Sequence, residues 1–251
     1  MISVRNLSFS YTRKPFIEKI DFEVTPGEIF GFLGPSGAGK STLQKILTGL
    51  LSGYQGSVIV NGCEVRHLNK GFYENIGVDF EFPSLYEKLT ARENLEFFAS
   101  LYKKHLDIDT LLEKVGLLYD SEKKVSDYSK GMKSRLNFIK ALLHDPQLLF
   151  LDEPTSGLDP SNARVMKDII LSEKSKGKTI ILTTHNMYDA TELCDHVAFI
   201  LNGEIKALDT PHNLIMSKGA SKITYTYLHE GNETESEVML NCTSGDELLV
   251  Q

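Results

Sequence analysis

Three cysteines in 251 residues are too few, and odd in number, for a disulfide framework. Cys63, Cys194 and Cys242 stand far apart and make no metal pattern, so a reducing cytosol is the expected setting. No apolar run approaches the length needed to cross a bilayer, and Met1 opens no charged-then-apolar leader. A membrane link is therefore expected only through a partner. In that compartment the sequons at Asn232 and Asn241 carry no meaning. Positive charge is scarce too: 27 Lys and Arg face 34 Asp and Glu, a net charge of -7. That balance argues against a bulk nucleic-acid binder, which normally needs a basic face. Internal repeats and low-complexity segments are missing. What remains is long enough for one large α/β domain or two small ones with a proper core.

The most informative stretch is Gly34-Pro35-Ser36-Gly37-Ala38-Gly39-Lys40-Ser41-Thr42, which fits the pattern G-x-x-x-x-G-K-[ST] in full. Glycines let the backbone curl so that its N–H groups point at a polyphosphate. Lys40 places a point charge on the β- and γ-phosphates, and the Ser41 hydroxyl is a ligand for Mg²⁺. The apolar run Ile29–Leu33 reads as a buried strand before the loop. Thr42–Leu50 reads as a helix after it, whose N-terminus favours anions.

The periodicity predicts an α/β protein. Ile2-Val4 and Ile20-Phe22-Val24, with the run up to residue 33, read as antiparallel strands, with a turn at Pro26-Gly27. Val58–Val60, Asn61-Gly62 and Cys63–Val65 give the strongest hairpin signal. From about 86 to 140 the spacing turns helical. Stripes run through Leu95, Phe98, Ala99 and Tyr102, then Leu111, Val115 and Leu118, then Met132, Leu136, Ile139 and Leu143. From Leu148 a strand–helix alternation returns, which implies a parallel sheet with crossover helices and a helical block inserted into it. Beyond 215 the residues Ile223, Tyr225 and Tyr227, a turn over His229–Glu235, and Val238 and Leu240 read as a small β hairpin or the start of an accessory domain.

The wholly apolar run Leu148–Leu151 suits a strand buried on both faces, with Asp152-Glu153 emerging at its carboxyl end, where ligands bind in open α/β sheets. There Asp152 can hold Mg²⁺ and Glu153 can polarise a water for attack on the γ-phosphate. The plain alternative is an acidic pair that caps the next segment.

Together these residues resemble the ATP-binding-cassette (ABC) family over residues 2–215, with 216–251 left as a β extension. The resemblance implies an α/β P-loop NTPase core with a parallel sheet, an N-terminal antiparallel subdomain and an inserted helical subdomain. By the same resemblance Tyr11 stacks on adenine, Tyr128-Ser129-Lys130-Gly131-Met132 is the signature, Ser156-Gly157-Leu158-Asp159 is the D-loop, and His185 is the switch histidine that contacts the γ-phosphate. In the family the signature serine and glycine, here Ser129 and Gly131, close over ATP held by the other subunit, so one full set of motifs implies a dimer, expected as a homodimer. Two departures stand out. Lys130 and Met132 replace the usual glycine and glutamine; Lys130 either adds a cation near the sandwiched nucleotide or points into solvent, the favoured reading. The segment Ile76–Pro83 aligns with the Q-loop and puts Glu81 at the glutamine position. Its carboxylate is either an oxygen ligand for Mg²⁺ or a solvated side chain. Phe80, Phe82, Leu85 and Tyr86 are candidates for a groove that receives a permease helix, with core packing the alternative.

The expectation is thus an ATP- and Mg²⁺-dependent ATPase on the cytoplasmic face of the membrane, peripheral through a separate permease. It looks most like the exporter type that moves drugs or antimicrobial peptides. A soluble ABC protein acting on ribosomes or DNA is the alternative, although such relatives usually carry two cassettes or a long coiled coil. A nucleotide-binding regulator that does not hydrolyse is a third reading, and Glu153 and His185 argue against it. Cargo, direction and permease identity are not written in the chain.

Overall fold

Strands with different burial patterns go to different sheets. β1 (Ile2–Phe9) and β2 (Ile17–Val24) alternate buried and exposed positions, as do the last residues of β4 (Gln55–Val60). They form an antiparallel sheet in the order β2-β1-β4-β5, where β5 is Cys63–Glu64. One-sided alternation is what an antiparallel sheet with one solvated face requires. The β4–β5 turn is Asn61-Gly62, both at positive φ (52° and 76°), as the tightest hairpin turn demands.

β3 (Ile29–Leu33), β7 (Leu148–Asp152) and β8 (Thr179–Thr184) are buried at every position. With β6 (Ile76–Asp79), β9 (His196–Leu201) and β10 (Glu204–Asp209) they build a six-stranded sheet in the order β10-β9-β3-β8-β7-β6. All neighbours pair in parallel except the terminal β10–β9. This corrects one expectation: β3 does not extend the antiparallel sheet but pairs with β8 and β9. Periodicity reports burial, and a strand buried on both faces carries no mark of which partner it takes. β6 and β10 were not anticipated; the four residues of β6 are too short a run to show a period.

Helices fill the rest. α1 (Lys40–Leu47) follows β3, α2 (Lys70–Tyr73) precedes β6, and the block of α3 (Ala91–Ala99), α4 (Ile108–Lys114) and α5 (Lys130–Leu142) lies between β6 and β7. α6 (Pro160–Ser175) and α7 (Met187–Leu193) are crossovers. α1 begins at Lys40 and ends at Leu47, earlier at both ends than expected. α3 opens on a capping box, Thr90 and Glu93 each accepting from the other's N–H. Leu95, Ala99, Leu111, Val115, Leu136, Ile139 and Leu143 are buried, so the helical stripes are core. The two sheets meet at Phe22, whose ring lies 5.4 Å from Phe30 and 5.3 Å from Phe32.

The computed structural model describes residues 1–80, 84–217, 221–229 and 232–240. Contacts divide the chain into two units, Met1–Pro211 and His212–Gln251. The division falls within the first residues of α8 (Pro211–Ser217). In the second unit β11 (Ser221–His229) and β12 (Asn232–Leu240) pair antiparallel from Ser221↔Leu240 to His229↔Asn232. The turn expected over His229–Glu235 is therefore paired strand at both ends. Among the described residues no helix is long and apolar enough to cross a membrane.

Gly77 tests how closely β6 approaches α5. A Cβ there would fall 2.1 Å from the Ala141 carbonyl oxygen. Gly77→Ala is expected to destabilise the first unit by about 1–3 kcal/mol, seen as a lower urea midpoint.

Candidate functional site

The loop between β3 and α1 leaves no room for a side chain at Gly34. A Cβ on Gly34 would lie 2.2 Å from the Ile200 carbonyl oxygen. Gly39 sits at φ 112°, and no side chain caps the first N–H groups of α1. Those donors face the loop, the arrangement that binds anions. The buried Lys40 ammonium donates to the carbonyl oxygens of Gly34 (2.8 Å) and Pro35 (3.2 Å) and lies 3.7 Å from Glu153 Oε1. Its charge is thus held inside the loop rather than in solvent.

β7 delivers the acidic pair. Asp152 is its last residue and is buried; Oδ1 accepts from the hydroxyls of Ser41 (3.2 Å) and Thr183. Glu153 stands at φ 53°, a left-handed conformation that a non-glycine residue adopts only when held there. Its N–H donates to the carbonyl (3.1 Å) and hydroxyl (3.2 Å) oxygens of Thr183. This bend turns the Glu153 carboxylate toward Lys40 and His185. Oε2 lies 2.9 Å from His185 Nδ1, which carries the shared proton because an ionised carboxylate has none to give. His185 itself is exposed and follows the last residue of β8.

Lys40, Ser41, Asp152, Glu153 and His185 therefore meet at one place, with Thr183 joining Asp152 to Glu153. Thr183 was not anticipated; only pairing of β7 with β8, Asp152 opposite Thr183, brings it there. Tyr11 flanks the site: its hydroxyl lies 3.0 Å from Thr42 Oγ1, and its ring meets Phe9 and Phe16 edge-on, leaving the residue 56% exposed.

The 129–131 segment is next to this cluster rather than in it, with Lys130 and Gly131 lining the same cavity as Asp152 and Glu153. Ser129 caps α5 by accepting from Met132 N–H (3.2 Å), as expected. No described hydrogen bond or ion pair joins Ser129, Lys130 or Gly131 to the 34–42 loop. Lys130 is exposed, with its ammonium beside Gly157. Asp159 caps α6 by accepting from Asn162 N–H (3.0 Å). Hydrogen bonds from the Asn162 side chain and backbone hold its carboxyl below the usual range.

Behind Asp152 lies a cavity of about 90 Å³ lined in part by Asp79, Asn137, Asp152 and Glu153. Asp79, the last residue of β6, is fully enclosed, and burial pushes its carboxyl up to about 7, with the charge of Asp152 adding; Lys140 and the Asn137 amide oppose this. Asn137 donates to Asp79 and to the Phe80 carbonyl oxygen (3.2 Å). Sequence reasoning missed both residues, whose polarity in an apolar setting was the available signal. Glu81 and Phe82 lie outside the described residues. Tyr86 is 49% exposed and packs on Phe97 (5.0 Å) and Phe98 (5.9 Å), so this cluster is partly open rather than core. Leu85 and Phe80 are half-buried.

A parallel sheet with a glycine-lined loop, buried lysine and acidic strand end defines the P-loop nucleotide-binding class. The ABC transporter family model matches residues 17–156. The chain is 50% identical over 239 residues to a fluoroquinolones export ATP-binding protein of Mycobacterium tuberculosis, covering 94% of this chain and 79% of that one. It is 38% identical over 242 residues to Nod factor export ATP-binding protein I of Rhizobium meliloti, covering 94% and 72%. A solved ATP-binding subunit of an ABC transporter superposes with a TM-score of 0.77 at 31% identity, over 86% of this chain and 92% of that one. The chain belongs to the ABC transporter family, as an ATP-binding and ATP-hydrolysing subunit.

Asp79 sets a pH signature. Its folded-state value of about 7 stands above the 3.8 of an ordinary aspartate. A raised acid favours the folded state when protonated, so its contribution is full below about 4 and lost as pH rises through 7. Asp79→Asn, which mimics the neutral form, is expected to gain on the order of 2–3 kcal/mol relative to the parent between pH 5 and pH 8. Urea titrations at the two pH values measure it.

Proposed function

We propose that this chain energises export through a separate membrane permease, hydrolysing ATP as one half of a head-to-tail pair. The observation that carries the reading is the convergence of Lys40, Ser41, Asp152, Glu153 and His185 at the carboxyl edge of the parallel sheet. The residues fit a magnesium nucleotide on two grounds. The loop leaves no room for a side chain at Gly34, and the donors starting α1 are uncapped. The oxygen set of Ser41 and Asp152 is the kind a hard cation takes.

The roles follow from placement. Lys40 and the loop N–H groups offset charge on the β- and γ-phosphate oxygens. Ser41 and Asp152 hold Mg²⁺, which when bound neutralises phosphate charge and orients the reacting groups. Glu153 accepts the proton of the attacking water, and its bend at φ 53° keeps the carboxylate aimed at that point. His185 orients Glu153 through Nδ1 and contacts the γ-phosphate. Tyr11 offers a ring to adenine, for about 1 kcal/mol beyond area burial. Glu81 is kept as a candidate magnesium ligand.

Ser129 and Gly131 have no described bond to the loop of their own chain. That supports their closing over nucleotide held by a second copy, with Asp159 at the same junction and the Ser129-capped N-terminus of α5 facing the phosphate. The names of the relatives, export ATP-binding proteins in two bacteria, support the export reading. Tyr86, in its part-exposed cluster with Phe97 and Phe98, is the proposed permease contact together with Phe80 and Leu85, and Phe82 is kept as a candidate from the sequence. The chain then sits on the cytoplasmic face, peripheral through that contact. Residues 1–215 form the ATPase domain in this reading and 216–251 an extension.

Two variants test the site. Glu153→Gln is expected to keep ATP binding, slow hydrolysis at least ~100-fold and accumulate as a closed dimer in light scattering; turnover at the parent rate removes Glu153 as the base. Lys40→Ala is expected to lose nucleotide affinity, and unchanged binding by calorimetry rejects the loop's role. Pull-down from detergent-solubilised cells reads the partner. A multispanning protein supports export, whereas ribosomal proteins or DNA would sink it.

A further inference from the structure

The Glu153–His185 contact depends on how the two segments that carry these residues are set, beyond the hold of Thr183 on the Glu153 N–H. His185 is exposed, and the turn that carries it is set by α7, whose cap Asn186 accepts from Tyr188 N–H at 2.9 Å and donates its own N–H to Thr184 Oγ1 at 3.0 Å. Glu153 leads a short loop that crosses toward α6. A single buried carboxylate joins these two pieces. Asp189, in the first turn of α7, is 6% exposed. Its Oδ2 accepts from the Thr155 hydroxyl at 2.6 Å, two residues beyond Glu153. Its Oδ1 pairs with Lys167 Nζ of α6 at 2.5 Å. Lys167 also reaches Glu192 Oε2 at 2.7 Å and lies over the Tyr188 ring at 4.9 Å, so α6 grips α7 at three points around Asp189.

We propose that Asp189 is a positioning residue for hydrolysis: through Thr155 it fixes the loop bearing Glu153, and through Lys167 it fixes the helix entered by His185. The Glu153–His185 contact is then set by a carboxylate that touches neither. Burying an ion pair rarely stabilises a fold much over an apolar replacement, so stability alone does not explain a charge network here. A fixed register between two catalytic segments does, because small misplacement at a reacting centre costs far more in rate than in folding. The proposal rests on the roles given above to Glu153 and His185.

The experiment uses the full chain. Thr155→Val is isosteric and removes only the hydroxyl tie, Thr155→Ser keeps it, and Asp189→Asn keeps an acceptor for Thr155 but loses the charge facing Lys167. Without nucleotide, the hydrogen-bonded ring N–H signal of His185 is followed by ¹H–¹⁵N spectroscopy with histidine-labelled protein, assigned by its absence in His185→Ala. Thr155→Val is expected to lose that signal and to lower kcat about 10- to 100-fold with KM changed less than about twofold. Thr155→Ser is expected to restore both, and Asp189→Asn to fall between. A Thr155→Val protein with parent signal and parent kcat overturns the proposal. So does loss of signal and rate in all three variants in step with a falling Tm, which is the mark of a purely structural role. Should Glu153→Gln hydrolyse at the parent rate while Thr155→Val still loses the ring signal, the positioning stands and the assignment of Glu153 as base fails.

Discussion

The pairing of Asp152 with Thr183 across β7 and β8 is the constraint on which the site depends. It places one hydroxyl between two successive acidic residues, donating to Asp152 and accepting from the Glu153 N–H. A slip of one residue would turn every side chain of β7 to the other face and send Asp152 away from Ser41. Register here is secured by burial. Leu148 to Leu151 and Thr179 to Leu182 are covered on both faces, so no shifted pairing keeps the same apolar area out of water. The chemistry at the carboxyl edge thus follows from packing several residues below it.

The electrostatics at this edge are arranged in opposition. Lys40 is buried and would lose several kcal/mol of hydration if left alone. The Gly34 and Pro35 carbonyl oxygens and the Glu153 carboxylate offset that loss. Asp79, on the far side of the cavity, has no such direct cation contact, and burial with the charge of Asp152 nearby favours its protonated form. The polar core therefore raises the proton affinity of one acidic group and sets another beside an ammonium. Both solutions keep net charge low where water is scarce.

How much of this was legible depends on whether the signal is local. The 34–42 loop could be read because its chemistry needs particular residues at fixed spacing along the chain. Ser129 as a cap and Asp152 at a strand end were legible for the same reason. Thr183 was not, since a threonine in an apolar strand has ordinary composition and acquires its role only through register. Asp79 and Asn137 escaped because β6 is four residues long and its partner lies on α5, 58 residues further on. β3 was assigned to the wrong sheet since burial on both faces fits several neighbours equally. The Asn232 end of the C-terminal hairpin reads as turn because Asn and Glu are poor strand markers, yet the ladder runs to His229↔Asn232.

α5 connects the two ends of the mechanism. It begins at Ser129, the residue that meets the partner's nucleotide in the proposed pair, and runs back to Leu142 beneath β6. Along it Lys133 pairs with Glu87 at 2.7 Å, Asn137 donates to Asp79 and the Phe80 carbonyl, and Lys140 donates to the Ser84 carbonyl at 3.2 Å. Both flanks of the 81–83 segment are thereby tied to one helix. A helix hydrogen-bonded over thirteen residues transmits displacement along its axis with little compression. The tight seat of Gly77 against Ala141 leaves little room for α5 to slide on β6. A force on the Ser129 end is therefore delivered to Phe80 and Ser84, and from there to the Tyr86 cluster, rather than absorbed in the core. Rigid packing of this kind would turn a phosphate contact at one end into a movement at the proposed permease contact, because close-packed elements shift as bodies.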